Sequence, residues 1–392
     1  MNQTAYIIKG FRSAVTKSKR GGFRFTSPID FGAEVINHLL ASVPQLDPAR
    51  VDDLIVGNAV PEAEQGLQMS RWLAIRSNLP ISVPGVTVNR YCGSGIETIA
   101  MATAKIQSGM ADCIIAGGVE SMSLVPTVGF KTVPNYTVSS EHPDYFIGMG
   151  LTAEEVSIKY NVSRVDQDEF SYNSHIKAIS AIESGKFKNE IAPVTVEETY
   201  YDAGKRKTRS FVVDTDEGPR KDTSLESLSS LKPAFKAGGI VTAGNSSQTS
   251  DGAGFVIVMS EKMMKELGLE PEARLISSVS AGVNPRYMGI GPCEAVPKVL
   301  KNTGISMNDI DLVELNEAFA AQSLAVIRTL DLDPAKVNLN GGAIALGHPL
   351  GCTGARLAIT ISRELKERHK RYGLVTACIG GGQGIAAVIE RL

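Results

Sequence analysis

Short apolar runs closed by a polar residue or a glycine alternate along the chain with stretches in which apolar positions recur every three or four residues. Ala5-Tyr6-Ile7-Ile8, Asp53-Leu54-Ile55-Val56-Gly57, Val86-Thr87-Val88-Asn89 and Cys113-Ile114-Ile115-Ala116-Gly117-Gly118 read as strands. Residues 95–108 read as a small-residue helix that keeps Ile96, Ile99, Thr103 and Ile106 on one face. Strand, helix, strand in this order predicts an α/β fold, with a parallel or mixed sheet covered by helices.

The last third repeats the pattern. Asp311-Leu312-Val313-Glu314-Leu315-Asn316 matches Asp53-Leu54-Ile55-Val56-Gly57-Asn58, with Asp and Asn at the same spacing. Val337-Asn338-Leu339-Asn340 stands where Val86-Thr87-Val88-Asn89 stood, before a glycine turn and a helix over 354–366, and Leu374-Val375-Thr376-Ala377-Cys378 stands where residues 113–117 stood. An offset of roughly 260 residues is too long for a solenoid and predicts two duplicated domains. The expected division is an N-terminal half of 1–121 with 246–270, an inserted region of 122–245, and a C-terminal half of 271–392. The insertion should hold a helix capped by Ser163-Arg164-Val165-Asp166, with Phe170, Ile176, Ile179 and Ile182 as its apolar face, and a charged, turn-rich run over 197–221.

With 392 residues, 43% hydrophobic and 21% charged, the chain suits a globular protein of two or three domains. A net charge of −2 gives no electrostatic case for nucleic acid or a membrane surface, and no apolar run approaches the ~20 residues of a membrane span. Five cysteines with no CxxC argue against a disulfide framework or a zinc site and for a reducing compartment. Lys9, Arg12, Lys17, Lys19, Arg20 and Arg24 could suggest an organellar leader, but the strand at residues 5–8 leaves nothing ahead of it to cleave. Ile389-Glu390-Arg391-Leu392 is no peroxisomal signal, so the expected location is the cytoplasm.

Chemistry concentrates in three glycine-rich turns where strand patterns end: Cys92-Gly93-Ser94-Gly95, Gly347-His348-Pro349-Leu350-Gly351 and Cys378-Ile379-Gly380-Gly381-Gly382. Glycine lets backbone N–H groups approach a ligand closely. Cys92 precedes a helix, where the dipole and free N–H groups favour thiolate. Cys92 as nucleophile, His348 as its base and a second cysteine moving protons predict acyl transfer through a thioester. Cys113 and Cys293 read as packing residues, and His38 and His175 as structural. His348 and Cys352 have a metal-like spacing, but the Pro-Gly loop is no helix and no third ligand is near, so no metal is expected. Gly382-Gln383-Gly384-Ile385-Ala386-Ala387 fits a dinucleotide fingerprint but leaves no room for its helix and acid.

Together these stretches resemble the thiolase family. The matching runs are Asn89-Arg90-Tyr91-Cys92-Gly93-Ser94-Gly95, Ala116-Gly117-Gly118-Val119-Glu120-Ser121-Met122, Asp216-Glu217-Gly218-Pro219-Arg220, Leu231-Lys232-Pro233-Ala234-Phe235, Thr242-Ala243-Gly244-Asn245-Ser246-Ser247, Asn316-Glu317-Ala318-Phe319-Ala320, Gly347-His348-Pro349-Leu350-Gly351-Cys352-Thr353-Gly354-Ala355-Arg356 and Cys378-Ile379-Gly380-Gly381-Gly382. They span nearly the whole chain in family order. The resemblance implies the thiolase fold, two βαβαβαββ halves in five αβαβα layers with an inserted loop domain.

It also implies roles. Cys92 would be the nucleophile, His348 its base, and Cys378 the acid that protonates an acetyl-CoA enolate and then deprotonates incoming CoA. Backbone N–H groups of Cys92 and Gly380 would bind the acyl oxygen, and His348 with a water held by Asn316 the enolate oxygen. Ser247 would meet the pantetheine arm, and Met149, Met288 and Phe319 would line the acyl pocket. CoA is expected as co-substrate with no tightly bound cofactor, its phosphates meeting a cation among Lys205, Arg206, Lys207, Arg209, Arg220 and Lys221. Partners would be CoA, acyl-CoA thioesters, further copies in a homodimer or homotetramer, and a hydratase–dehydrogenase of β-oxidation. Short-chain members carry His-Met-Gly where this chain has Gly148-Met149-Gly150. With Cys352-Thr353 this resembles degradative 3-ketoacyl-CoA thiolases and medium or long 3-oxoacyl-CoA substrates, whereas Gly93 is closer to the short-chain pattern. The alternatives are condensation of two acetyl-CoA, a decarboxylating ketoacyl synthase, disfavoured because Asn316 stands where it needs a second histidine, and a non-catalytic thiolase-fold lipid carrier.

Overall fold

The structure, a computed structural model, describes residues 3–392. The first half runs β1 (Ala5–Arg12), β2 (Thr16–Lys17), α1 (Pro28–Ala41), β3 (Asp53–Gly57), α2 (Met69–Arg76), β4 (Gly85–Val88), α3 (Ser94–Gln107) and β5 (Cys113–Ser121). An excursion follows: α4 (Tyr136–Glu141), α5 (Met149–Lys159), α6 (Arg164–Glu183), the hairpin β6 (Val194–Asp202) and β7 (Lys205–Val213), and α7 (Leu225–Ser229). The chain returns through β8 (Ser250–Ser260) and α8 (Glu261–Glu266) to the second half, β9 (Arg274–Gly282), α9 (Gly291–Thr303), β10 (Leu312–Leu315), α10 (Ala320–Thr329), α11 (Ala343–Leu346), α12 (Leu350–Glu367), β11 (Tyr372–Ile379) and β12 (Gln383–Glu390).

The two sheets have matching orders, β1-β8-β5-β3-β4 and β9-β12-β11-β10. β3 is parallel to β5 as β10 is to β11, and β5 is antiparallel to β8 as β11 is to β12. Successive residues of one strand serve different layers, as the pleat requires. Leu54 and Val56 pack outward on Phe31, Val35 and Leu39 of α1 and Met69 and Leu73 of α2. Ile55 packs inward with Ile96, Ile99 and Ile106 of α3, Leu357 and Ile361 of α12, and Val375 and Ala377 of the second sheet. That sheet's outer face, Val313, Leu315 and Leu374, is covered by Val296 and Val299 of α9 and Val326 of α10. The result is five layers, helix–sheet–helix–sheet–helix, as the resemblance implies.

Four local expectations are corrected. Residues 337–340 are not a strand: one parallel bridge joins Val313 to Val337, and Asn338 has a positive φ of 46°. Its side-chain amide replaces the ladder, accepting from Leu315 N–H at 2.9 Å and donating to Leu315 O at 2.8 Å. The helix expected over 354–366 starts at Leu350, so Gly351 and Cys352 lie in its first turn rather than in a loop; Pro349 O accepts from the Cys352 and Thr353 N–H groups. The capping box at Ser163 and Asp166 forms, but α6 buries Gln167, Asp168, Ser171, Ser174, His175, Ala178 and Ala181 most deeply; of the expected apolar face Phe170, Ile179 and Ile182 are half-buried and Ile176 is exposed. Its inner face meets polar groups, Ser174 donating to Glu317 and Asp168 accepting from Asn245. Most of the charged run over 197–221 is the β6–β7 hairpin, closed at Ala203 and Gly204 with φ of 46° and 77°, the left-handed pair of a tight hairpin turn. No helix of the described residues is long and apolar enough to cross a membrane.

A buried ionic knot ties the excursion to the core. Arg12, fully buried, donates from Nη1 and Nη2 to Asp216 at 2.7 and 2.8 Å and from Nε to Glu190 at 2.7 Å. Asp216 also accepts from Val15 N–H at 2.7 Å. Arg12→Leu leaves two carboxylates buried without their cation and should cost about 3–5 kcal/mol. The check is the urea midpoint; one equal to wild type would show the knot to be energetically neutral.

Candidate active site

β4 delivers the chain to Cys92 through a turn held by side chains. Tyr91 has a φ of +43°, uncommon outside glycine, and its N–H donates to Asn89 Oδ1 at 2.9 Å. Ser94 Oγ accepts from Arg90 N–H at 2.9 Å and donates to Tyr91 O at 2.7 Å. Cys92 therefore sits in a 3₁₀ turn (Tyr91–Gly93) that feeds directly into α3.

His348 stands just ahead of α12, after Gly347 at φ 105°. Its Nδ1 lies 2.7 Å from Thr353 Oγ1, and that hydroxyl donates to Pro349 O at 2.9 Å. With its one proton committed there, Thr353 accepts, so Nδ1 carries the imidazole hydrogen. Nε2 is left as the acceptor facing Asn316 Nδ2 at 3.2 Å. The tautomer is thus the one that presents a basic Nε2. Asn316 Oδ1 is buried without a protein partner. Its neighbour Glu317 accepts from Ser174, Asn338 and Ile344 N–H, which fixes the loop behind Asn316.

One cavity of about 560 Å³ gathers Cys92, His348, Cys378 and Gly380 with Met149, Met288, Phe319 and Ser247. Of the residues singled out from sequence, only Asn316 is not on the wall; it stands behind His348. Met122, Val128, Leu151, Phe235 and Leu350 complete a mainly apolar lining. Gly148 is also on the wall, and a Cβ built there would meet nothing within 4 Å. A smaller cavity, about 140 Å³, is lined by His175, Arg220, Ser227, Leu228 and Leu231 and shares Gln248 with the first. Of the six expected phosphate-binding cations, Arg220 alone lines it. Arg209 pairs with Glu198, Lys207 with Asp202 and Lys221 with Glu183.

The electrostatics differ from the expectation of a stabilised thiolate. Burial pushes the Cys92 thiol up to about 11, against the opposing pull of the Gly380 and Cys92 N–H groups. Burial likewise raises Cys378, with Cys92 adding to it, and lowers His348 to about 3, with Arg356 adding to that. The cavity therefore carries a neutral thiol and a neutral imidazole on its wall. Among the described residues no cluster of three or more His, Cys, Asp or Glu side chains is placed to hold a metal ion.

Sequence reasoning gave no role to Thr353 or Glu120. Thr353 could have been found as a hydroxyl one helical turn beyond the Pro349 carbonyl. Glu120 is fully buried and accepts from Ala59 and Gly351 N–H, both at 2.8 Å, so it pins the start of α12 to the first sheet. No local pattern announces that.

A thiol at about 11 has a definite chemical signature. Iodoacetamide should label Cys92 ahead of Cys113, Cys352 and Cys378, which are buried, whereas Cys293, half-buried like Cys92 and with its thiol likewise raised to about 11, should label alongside it. The rate should climb steadily from about pH 7 to pH 10, because thiolate, the reactive form, grows as pH approaches the thiol's pKa from below. Peptide mapping with stopped alkylation reads this; a plateau below pH 8 would mean a resting thiolate.

Comparison with known proteins identifies the family. Residues 5–262 match the model for the thiolase N-terminal domain and residues 269–391 that for the thiolase C-terminal domain. The chain is 49% identical over 387 residues to a 3-ketoacyl-CoA thiolase of Bacillus subtilis (strain 168), covering 98% of this chain and 99% of that one. It superposes on the crystal structure of human mitochondrial 3-ketoacyl-CoA thiolase with a TM-score of 0.89 at 36% identity, covering 100% and 99% of the two chains. It superposes on that of the Bacillus anthracis acetyl-CoA acetyltransferase with a TM-score of 0.90 at 38% identity and the same coverage. The chain belongs to the thiolase family of acyltransferases.

Proposed function

We propose that this enzyme cleaves medium or long 3-oxoacyl-CoA with CoA, giving acetyl-CoA and an acyl-CoA shortened by two carbons. The observation that carries the reading is the meeting of Cys92, His348, Cys378 and Gly380 on one apolar cavity that stays open at Gly148. Relatives named 3-ketoacyl-CoA thiolase support it.

In the proposed cycle Nε2 of His348 takes the Cys92 proton as sulfur attacks the 3-oxo carbon. The C2–C3 bond breaks, leaving the acyl group on Cys92 and the electron pair on an acetyl-CoA enolate. The Cys378 thiol protonates the enolate carbon. Cys378 thiolate then takes the proton from incoming CoA, whose sulfur attacks the thioester and frees Cys92 as thiolate, which takes its proton back from His348. The N–H groups of Cys92 and Gly380 hold the acyl oxygen, and His348 with a water on Asn316 holds the enolate oxygen. Ser247 guides pantetheine, and Met149, Met288 and Phe319 enclose the acyl end. We place the nucleotide end of CoA along the smaller cavity, with Arg220 facing phosphate, because Gln248 lines both cavities.

The test is CoA-dependent thiolysis of acetoacetyl-CoA and of a C10 3-oxoacyl-CoA side by side. Each buried methylene is worth ~0.8 kcal/mol, so even four of the added ones bring about 3 kcal/mol, or two orders of magnitude in kcat/KM as an upper bound. A preference of at least about tenfold for the longer substrate is expected. Preference for acetoacetyl-CoA would favour the biosynthetic enzyme instead. Cys92→Ala should lose about a thousandfold or more. Arg220→Ala should raise KM for CoA and leave kcat in place; an unchanged KM would remove Arg220 from the phosphate site.

A further inference from the structure

The turn that carries Gly380 is gripped from two sides, and the two grips are tied to each other. On one side Val283 N–H donates to Gly382 O at 2.8 Å, and a Cβ on Gly382 would lie 2.8 Å from Pro285 Cα, so this strand end lies directly on the turn. On the other side the ring of Tyr145, from the excursion, lies on Gly381: a Cβ there would meet Tyr145 Cε2 at 2.8 Å. Phe146 buttresses that ring edge-on at 5.2 Å. The tie is Arg286, next to Pro285. Its Nε and Nη2 grip Asp144, next to Tyr145, at 3.0 and 2.7 Å, and its Nη1 reaches Glu155 of α5 at 3.3 Å. A two-toothed guanidinium–carboxylate contact fixes orientation as well as distance. The Gly380 turn also abuts the Cys92 turn: a Cβ on Gly93 would lie 2.6 Å from Ile379 Cδ1, so the Tyr145 ring bears on a turn that packs directly against that of Cys92.

We propose that Tyr145, latched by Asp144 to Arg286, is a positioning residue that holds the Gly380 turn against the Cys92 turn so that their two N–H groups stay convergent. This rests on the reading above, in which those N–H groups bind the acyl oxygen. The ring lies outside the cavity wall, so the brace acts through backbone position and not through contact with substrate. Gly381 follows from the same contact, since any side chain there would displace the ring. The latch also joins the excursion, which carries Met149, to the second half, which carries Met288.

The brace separates kcat from KM. Tyr145→Ala should lower kcat about tenfold on both acetoacetyl-CoA and the C10 substrate, less than the ~10²–10³ cost of deleting an oxyanion donor outright. KM for CoA should stay within about twofold. Tyr145→Phe, which keeps the ring, should restore kcat. Asp144→Ala and Arg286→Ala should each lower kcat in the same direction, and the double variant should be no worse than either, because both break one contact. Formation of acyl-Cys92, followed by intact-protein mass spectrometry in a rapid quench, should slow in step with kcat. Wild-type kcat in Tyr145→Ala, or a change confined to KM, would overturn the brace while leaving the Cys92 reading standing. Activity surviving in Cys92→Ala would overturn that reading and the brace together. Should Tyr145→Ala fail to fold, the surface variant Arg286→Ala decides: wild-type kcat there overturns the latch.

Discussion

Everything at the site depends on how closely α3 and α12 approach each other in the middle layer. They cross where neither has a side chain. A Cβ on Gly95 would lie 3.1 Å from Gly351 O, and one on Gly354 would lie 2.8 Å from Ile96 Cγ1, with backbone closer still in both cases. A Cβ on Gly351 would lie 2.7 Å from Gly57 O of the first sheet. Such distances admit only glycine without a shift of backbone. Because Cys92 immediately precedes one of these helices and His348 the other, the contact between the helices is also what brings the cysteine of one half to the histidine of the other. Glu120 secures it from the first sheet by accepting the Gly351 N–H.

The duplication explains why neither half alone carries the candidate site. The first contributes Cys92, and the second contributes Asn316, His348, Cys378 and Gly380. Equivalent strands end at equivalent places, but the second half gave up one strand: Asn338 turns into the left-handed region and bonds Leu315 with its side chain. The freed amide hydrogen count suits Glu317, which accepts from Asn338 at 2.8 Å and from Ser174 of α6 at 2.7 Å. A strand lost from the sheet thus becomes a polar seat for the excursion's longest helix. Asn316, adjacent in sequence, inherits a fixed backbone from which to face His348.

Legibility followed how local each feature is. Cys92 and Cys378 could be read because each lies where a strand pattern ends in a glycine-rich turn; His348 could be read from its Gly-His-Pro turn, although in the structure that turn joins α11 to α12 and no strand precedes it. The strands of both halves could be read because a strand covered on both faces reads as a short, near-continuous apolar run, as along 53–57 and 113–118. The inner face of α6 could not: its buried residues include Gln167, Asp168, Ser171, Ser174 and His175, of which Asp168, Ser174 and His175 meet partners far along the chain, while Ile176 is left exposed. The β6–β7 hairpin was hidden because only its base alternates, at Val194, Val196 and Glu198, before the strands project into water. The contact of Asp144 with Arg286 joins segments that share no motif and lie 142 residues apart.

Burial sets the resting chemistry. Helix N-terminal position and two N–H groups all favour a thiolate at Cys92, yet desolvation outweighs them and the thiol stays protonated near neutral pH. The same desolvation keeps His348 neutral, which leaves its Nε2 free to accept a proton, where an imidazolium could not. An ion pair standing in the empty cavity would be costly. In the proposed cycle charge arises only when sulfur meets the carbonyl, and it passes at once to an oxygen facing the Cys92 and Gly380 N–H groups. Donors that fail to ionise the free thiol are then best matched to the oxyanion, so the stabilisation falls on the transition state and not on the waiting enzyme. Such matching tolerates little drift between the two turns, which come from different halves of the chain, and this is the reason a brace between them has value.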